Sequence, residues 1–208
     1  MALKRHNKGL TLAELLVALV ITAIVLTAVV TLSYALGTAS TSSSDSADKQ
    51  ARLRYATLRI SELVRHSRLV CGTADNDLAL WRADDNGDED INPAELVYLE
   101  AGQGRDYLRL LEFPSAADWP VPLSSILSGS AKDELLLICD YRRTELIPAG
   151  SNVGFVAEPA PPWSKFVTVS FSVVESEAVR RYQISAAVRG WAGHLLDTGG
   201  DAIVNDDD

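Results

Sequence analysis

Leu10 to Leu36 is a 27-residue, predominantly apolar run with one side chain charged at neutral pH, Glu14. As an α-helix, at about 1.5 Å per residue, the run reaches roughly 40 Å, more than the hydrocarbon core of a bilayer. A lone charge inside such a helix costs about 2.5–3.5 kcal/mol even on the gentlest insertion scales. The run therefore predicts one membrane-spanning helix, and Glu14 calls for something that offsets its charge. Two plainer accounts compete. A cleaved secretory signal has an apolar core of about 7–15 residues, shorter than this one, although Ala35 and Gly37 mimic its cleavage site. A simple one-span anchor leaves Glu14 unexplained unless the side chain snorkels to the membrane edge.

The eight residues before Gly9 hold Lys4, Arg5 and Lys8 and no acid. Basic residues beside an apolar run keep that end in the cytoplasm, which puts the rest of the chain on the other side. The stretch Lys8-Gly9-Leu10-Thr11-Leu12-Ala13-Glu14-Leu15-Leu16-Val17-Ala18-Leu19 resembles the type IV prepilin signal, shared by pilins and the pseudopilins of type II secretion. The resemblance implies that a prepilin peptidase cuts after Gly9, that Leu10 becomes a methylated N-terminus, and that Glu14 is the glutamate the family keeps for assembly. It implies other pilin or pseudopilin subunits, an inner-membrane assembly platform and membrane lipid as partners. It also implies a single-pass inner-membrane precursor whose C-terminal domain is periplasmic or extracellular once in a filament. Two positions depart from the family pattern: Leu10 stands for the usual phenylalanine, and Ala13 for a larger apolar residue. Cleavage would create an ammonium group at Leu10. Such a charge, in the same chain or a neighbour, can pair with Glu14 and set register between subunits.

The 208 residues suffice for one span and one modest domain. The net charge is −9, and it falls to −12 when the three basic residues of the leader are removed. Nucleic acid is not an expected partner of so acidic a chain. The two cysteines, Cys71 and Cys139, allow one pairing in an oxidising compartment; the alternative is two buried free thiols.

A leader over 1–9 and an assembly helix over 10–36 are followed by a Ser/Thr-rich exit, from Gly37 to Ser46, that reads as a flexible segment or a weak helix. From Ala47 to Val70 the period is helical, with Leu53, Ala56, Ile60, Leu63, Val64 and Ser67 on one face. The segment 37–72 is thus a polar exit plus an amphipathic helix. Its second half, from Gln50 through Gly72, more weakly resembles minor pilins of the W type and minor pseudopilins of the J type.

Residues 73–198 read as a β-rich exported domain. Leu78–Trp81 is a short strand, and Glu95–Glu100 with Tyr107–Phe113 form a hairpin through Gly102-Gln103-Gly104. Leu135–Tyr141 reads as a central strand, and Pro114–Pro122 and Pro148–Pro162 as loops. The clearest hairpin is the last. Val167, Val169, Phe171 and Val173 alternate with polar residues, and Tyr182, Ile184, Ala186 and Val188 answer them across a turn at Glu175–Ala178. The acidic tail 199–208 is expected to be disordered. The fold class is α+β, a long N-terminal helix packed on an antiparallel sheet.

The second informative stretch runs from Asp84 to Glu95. Calcium takes six to eight oxygens, which alternate acidic and amide side chains of a curled loop can supply. The stretch is similar to an EF-hand calcium loop. That resemblance makes Asp84, Asn86 and Asp88 side-chain ligands, Asp90 a carbonyl donor, Ile91 the apolar position and Glu95 the closing bidentate carboxylate. Asn92 would reach the ion directly or through water. Glu89 stands where the family has glycine, and the flanks read as strands rather than helices, so a structural clip is expected instead of a sensor. The other account is a solvated acidic loop without an ion.

His6, His66 and His194 are isolated, and no metalloprotease, phosphate-loop or nucleophile-elbow motif is present. No catalytic residues are assigned. The expected function is that of a filament subunit, a minor one, that is an enzyme's substrate and not itself an enzyme. The competing class is a membrane-tethered calcium-binding or adhesion module that never assembles.

Overall fold

The computed structural model describes residues 11–72, 76–175 and 178–204, and of residues 39–46 the backbone alone. The chain divides into two compact units, one ending at Lys49 and the other beginning at Gln50. In the first, α1 (Leu12–His66) begins, and its residues from Leu12 to Thr38 are long and apolar enough to cross a membrane. Every one of those side chains is exposed. The Ser/Thr-rich stretch stays helical, so α1 runs through it without a break.

In the second unit the end of α1 buries Leu53, Ala56, Ile60, Leu63 and Val64, the stripe that the sequence periodicity predicts. The helix ends at His66, four residues short of the predicted Val70. Ser67 is buried and donates to the Val64 carbonyl at 2.8 Å. Beyond it the helical period gives way to Leu69, Val70 and Cys71, three consecutive buried residues. An amphipathic helix cannot bury three in a row on one stripe, and Leu69–Gly72 instead forms β1.

β1 pairs antiparallel with β2 (Asp77–Trp81), and β3 (Leu96–Ala101), β4 (Leu108–Glu112) and β5 (Arg142–Ile147) follow in order in one five-stranded sheet. The predicted hairpin of β3 and β4 is present, with Leu99 opposite Leu110. Both faces of this sheet are covered. Leu78, Leu80, Val97 and Leu99 face the cluster that contains α1, while Ala79, Trp81, Leu96 and Tyr98 face a second cluster. Double coverage explains why β2 and β3 are buried at every position.

The second cluster is closed by α2 (Leu123–Ser128) and α3 (Ser130–Ile138). α3 replaces the strand predicted over Leu135–Tyr141. Ala131 and Leu135, one turn apart, are buried, whereas Leu137 is 86 % exposed. An apolar run of three leucines and an isoleucine does not distinguish strand from helix by itself, and the good helix formers Ala131, Lys132 and Glu134 ahead of it favour the helix. Lys132 of α3 ion-pairs with Asp77 of β2 and, at 2.7 Å, with Glu100 of β3; Arg143 of β5 reaches the same Glu100 at 3.1 Å. These ion pairs link α3 to the sheet, while burial pushes the Asp77 carboxyl up against the pull of Lys132.

A three-stranded sheet of β6 (Ser151–Glu158), β7 (Phe166–Glu175) and β8 (Ala178–Ala187) completes the first cluster. The register of β7 and β8 is the predicted one, with Val167 opposite Ala186, Val169 opposite Ile184 and Phe171 opposite Tyr182. β6 lies inside the segment predicted as a loop from Pro148 to Pro162. Only Val153 of its side chains is fully buried, and the register shifts between Ser151 and Gly154, which leaves no alternation to read. The prolines lie outside the strand, where the missing N–H does no harm. The tail is also placed further than predicted. Leu196 bridges Ile203, and Asp197 Oδ1 accepts from the N–H groups of Asp201 and Ala202 at 3.0 and 3.3 Å. Residues 205–208 lie outside the described residues.

Candidate functional site

The predicted cleavage and methylation positions, Gly9 and Leu10, lie outside the described residues. Description begins at Thr11, and there the chain makes a capping box. The Glu14 carboxylate accepts from the Thr11 backbone N–H and from its hydroxyl, both at 2.9 Å, and the Glu14 N–H reaches Thr11 Oγ1 at 3.3 Å. A helix starts with unpaired N–H groups, and this reciprocal pair satisfies two of them. Glu14 therefore closes the N-terminal end of the apolar helix, where the helix dipole also favours negative charge. Thr11 is a member of the site that charge reasoning does not find; the Thr-x-x-Glu spacing is the signal that does.

Further along the helix, the hydroxyls of Thr22, Thr27 and Thr31 donate to the carbonyls of Ala18, Ala23 and Thr27 at 2.7–2.8 Å. Their polar atoms are satisfied within the helix, so they present little unmet polarity to lipid or to another helix.

In the acidic loop, Gly87 N–H donates to Asp84 Oδ1 at 2.7 Å, Asp88 N–H to Asn86 Oδ1 at 3.2 Å, and Asp90 N–H to Asp88 Oδ1 at 2.9 Å. These turns curl the segment. Gly87 and Glu89 both have left-handed backbone, with φ of 77° and 60°. Glu89 thus adopts the conformation that glycine supplies in EF-hand loops, at a cost on the order of 1–2 kcal/mol. Ile91 is buried in the second cluster, and Val121 N–H holds its carbonyl at 2.8 Å.

The two ends of the loop are engaged by the framework. Asp84 ion-pairs with Arg68, whose guanidinium stacks 4.7 Å from the centroid of the Trp81 ring. Glu95 is buried and accepts from Trp81 Nε1–H at 3.0 Å, from Asp85 N–H at 2.5 Å and from Asn92 N–H at 3.4 Å. The structure consequently does not bring the five predicted ligands together. Among the described residues no three Asp, Glu, His or Cys side chains stand close enough to share an ion.

The donor chemistry nevertheless suits a hard cation. Asn92 is 1 % exposed, its Nδ2 donates to Asp88 Oδ2 at 2.9 Å, and its side chain forms a capping box with Glu95 at the start of the short 3-10 helix Pro93–Glu95. Burial raises the Asp90 carboxyl pKa, and the neighbouring charges of Asp88 and Asp84 raise it further. For Asp88, burial is outweighed by hydrogen bonds from Asn92, the Asp90 N–H and Asn86, which hold its carboxyl below the usual range. The loop's side-chain donors are oxygens and amide nitrogens, and its carboxylates repel one another.

Cys71 and Cys139 are both free thiols and both belong to the neighbourhood of the second cluster. Cys71 is fully buried, and burial pushes its thiol up to about 12.

Comparison with known proteins bears on the N-terminal segment alone. Residues 4–30 match the prokaryotic N-terminal methylation motif. No curated protein and no solved structure matches the chain. The motif covers the basic leader, Glu14 and most of the exposed apolar helix, and it supports a type IV pilin-like role for the chain.

Proposed function

We propose that the chain is a minor subunit of a type IV pilus or of a type II secretion pseudopilus. The observation that carries this reading is the single acid of the apolar helix. It sits inside a matched methylation motif, at the first turn of a helix whose membrane-length portion is exposed throughout. A prepilin peptidase cuts after Gly9, Leu10 is methylated, and the helix leaves the inner membrane to pack with its equivalents on an assembly platform. The role is structural, and the chain is an enzyme's substrate. The new ammonium at Leu10, or that of a neighbour, then faces a Glu14 already held in place by Thr11.

Mass spectrometry of the mature protein tests this directly. A chain that begins at methylated Leu10 is expected; one that keeps its leader within assembled filaments, or begins near Thr38, overturns it. Glu14→Ala should lower filament incorporation while membrane insertion persists.

The acidic loop favours a second property, compatible with the first. We infer that residues 84–95 take calcium as a structural clip on the connection between β2 and β3, supported by the order of its acids and amides, the curled backbone and the left-handed Glu89. If calcium binds and Glu14→Ala changes nothing, the protein is instead a tethered calcium-binding or adhesion module.

A further inference from the structure

We propose that the free edge of β8 takes an extended, acidic segment of a neighbouring subunit as an added strand of the three-stranded sheet. That the partner is a subunit rests on the filament reading; the open edge does not.

The contrast among the strand edges carries it. The five-stranded sheet ends in β1 and β5, and the three-stranded sheet in β6 and β8. β1 has four residues and a register shift, and a Cβ at its Gly72 would stand 3.4 Å from the Ile126 carbonyl oxygen of α2. β5 begins with the exposed charges of Arg142 and Arg143, and its register shifts against β4. β6 is interrupted by a register shift and by left-handed backbone at Asn152, with φ of 54°, and its Val153 N–H donates to the Arg105 carbonyl at 3.2 Å. Short length, charge and bulges are devices that keep a strand edge from pairing with other chains.

From Tyr182 to Ala187, β8 has none of them. Its 10 residues pair with β7 in one unbroken register and include no glycine or proline. Every second residue of an edge strand turns its N–H and C=O away from its neighbour. Among the described residues, no backbone group outside β7 bonds to β8. The side-chain row that faces away from the core, Val179, Arg181, Gln183, Ser185 and Ala187, is exposed throughout.

Charge selects the occupant. Arg181, and Arg189 just beyond the strand, are exposed and ion-pair with no described acid, in a chain whose net charge is −9. Glu175, across the turn, is taken by Arg180 at 3.3 Å and by the Tyr182 hydroxyl at 2.7 Å, and Glu177 lies outside the described residues. A second copy of β8 would add its own guanidiniums to the same seam, and like charges on neighbouring strands oppose pairing. A segment with Asp or Glu at alternate positions answers them, while the main-chain ladder supplies affinity.

The test is site-specific photocrosslinking of the full-length protein in the cells that assemble it, with benzoylphenylalanine in place of Gln183. The expected product joins this chain to another filament subunit, and mass spectrometry locates the junction in a segment with several Asp or Glu. Arg181→Glu combined with Arg189→Glu should lower the yield by at least about fivefold, while the two Arg→Lys changes keep it within about twofold. Near-ultraviolet circular dichroism of the purified variants confirms that both pairs are folded. The same probe in place of Val156, on β6, should give background yield. A product of two copies of this chain, a junction in a segment without acids, or a yield that survives the charge reversal overturns the assignment. A mature N-terminus at methylated Leu10 with no Gln183 product overturns it and leaves the subunit reading intact. A chain that keeps its leader in filaments removes the subunit reading and the assignment with it.

Discussion

Thr11 and Glu14 cap the same helix end reciprocally: the carboxylate takes the threonine's N–H and hydroxyl at 2.9 Å each, and the threonine oxygen takes the glutamate's N–H. The only acid of the apolar helix is thus held in one position before any partner arrives. Thr11→Ala should lose about 1 kcal/mol of helix start and release the Glu14 side chain. The expected outcome is a smaller fraction of subunits in sheared filaments, with membrane insertion unchanged, and recovery by Thr11→Ser, which restores the hydroxyl. Quantitative immunoblots of the filament and membrane fractions measure it. Equal incorporation by the alanine and serine variants would show that the cap has no part in assembly.

Helical rather than extended backbone over 130–138 makes neighbouring leucines unequal. Leu135 is fully buried and Leu137 is 86 % exposed. Leu135→Ala should cost about 2–5 kcal/mol, and Leu137→Ala should stay within about 0.5 kcal/mol of the parent. A strand would place both on one face and give them similar costs. Urea unfolding of the two variants separates these outcomes.

Lys132 stands between two buried carboxylates, Asp77 and Glu100. Lys132→Met removes the cation and leaves Asp77 without a countercharge, while Arg143 still serves Glu100. Breaking a buried pair from one side costs about 3 kcal/mol or more. A fall in thermal midpoint of several degrees is expected, larger at pH 8 than at pH 5. Burial holds the Asp77 carboxyl above its ordinary value, so a Lys132→Met protein can protonate it more readily in acid. An equal loss at both pH values would remove Asp77 from the explanation.

The two thiols should differ in reactivity. With Cys71 fully buried and its thiol pushed up to about 12, a thiol reagent at pH 8 should leave it unmodified in the native protein. Cys139, half-buried, should react slowly, and both should react in denaturant. Titration with a chromogenic disulfide reagent, without added reductant, counts them. No reactive thiol in denaturant would mean that the two are bonded in the exported protein.

Much of the molecule is local enough to be read from the chain. A long apolar run with one acid specifies a membrane-length helix. The stripe from Leu53 to Val64 and the alternation from Val167 to Val173 specify a buried helix face and a hairpin register, because each has a strong period and one buried side. The Thr11–Glu14 cap is also written locally, in a three-residue spacing. Where both sides of an element are buried, or neither is, the period vanishes. Leu69–Cys71 and Leu135–Ile138 are short apolar runs with no alternation, and β6 has one buried anchor. Only the surrounding sheets and helices decide whether such segments are strand or helix.

The acidic loop divides in the same way. Its order of acids and amides, from Asp84 to Glu95, determined that an oxygen-rich turn would form between two strands, and Ile91 determined which side of it is buried. What each oxygen is used for depended on residues distant in sequence or pointing across the strand. Arg68 comes to Asp84 from the link between α1 and β1, and the Trp81 indole claims Glu95. Asn92 is drawn into a capping box with Glu95 at the start of the short 3-10 helix Pro93–Glu95. A carboxylate's identity is a property of the chain, but its availability is a property of the donors packed around it, and those are assembled only by the fold.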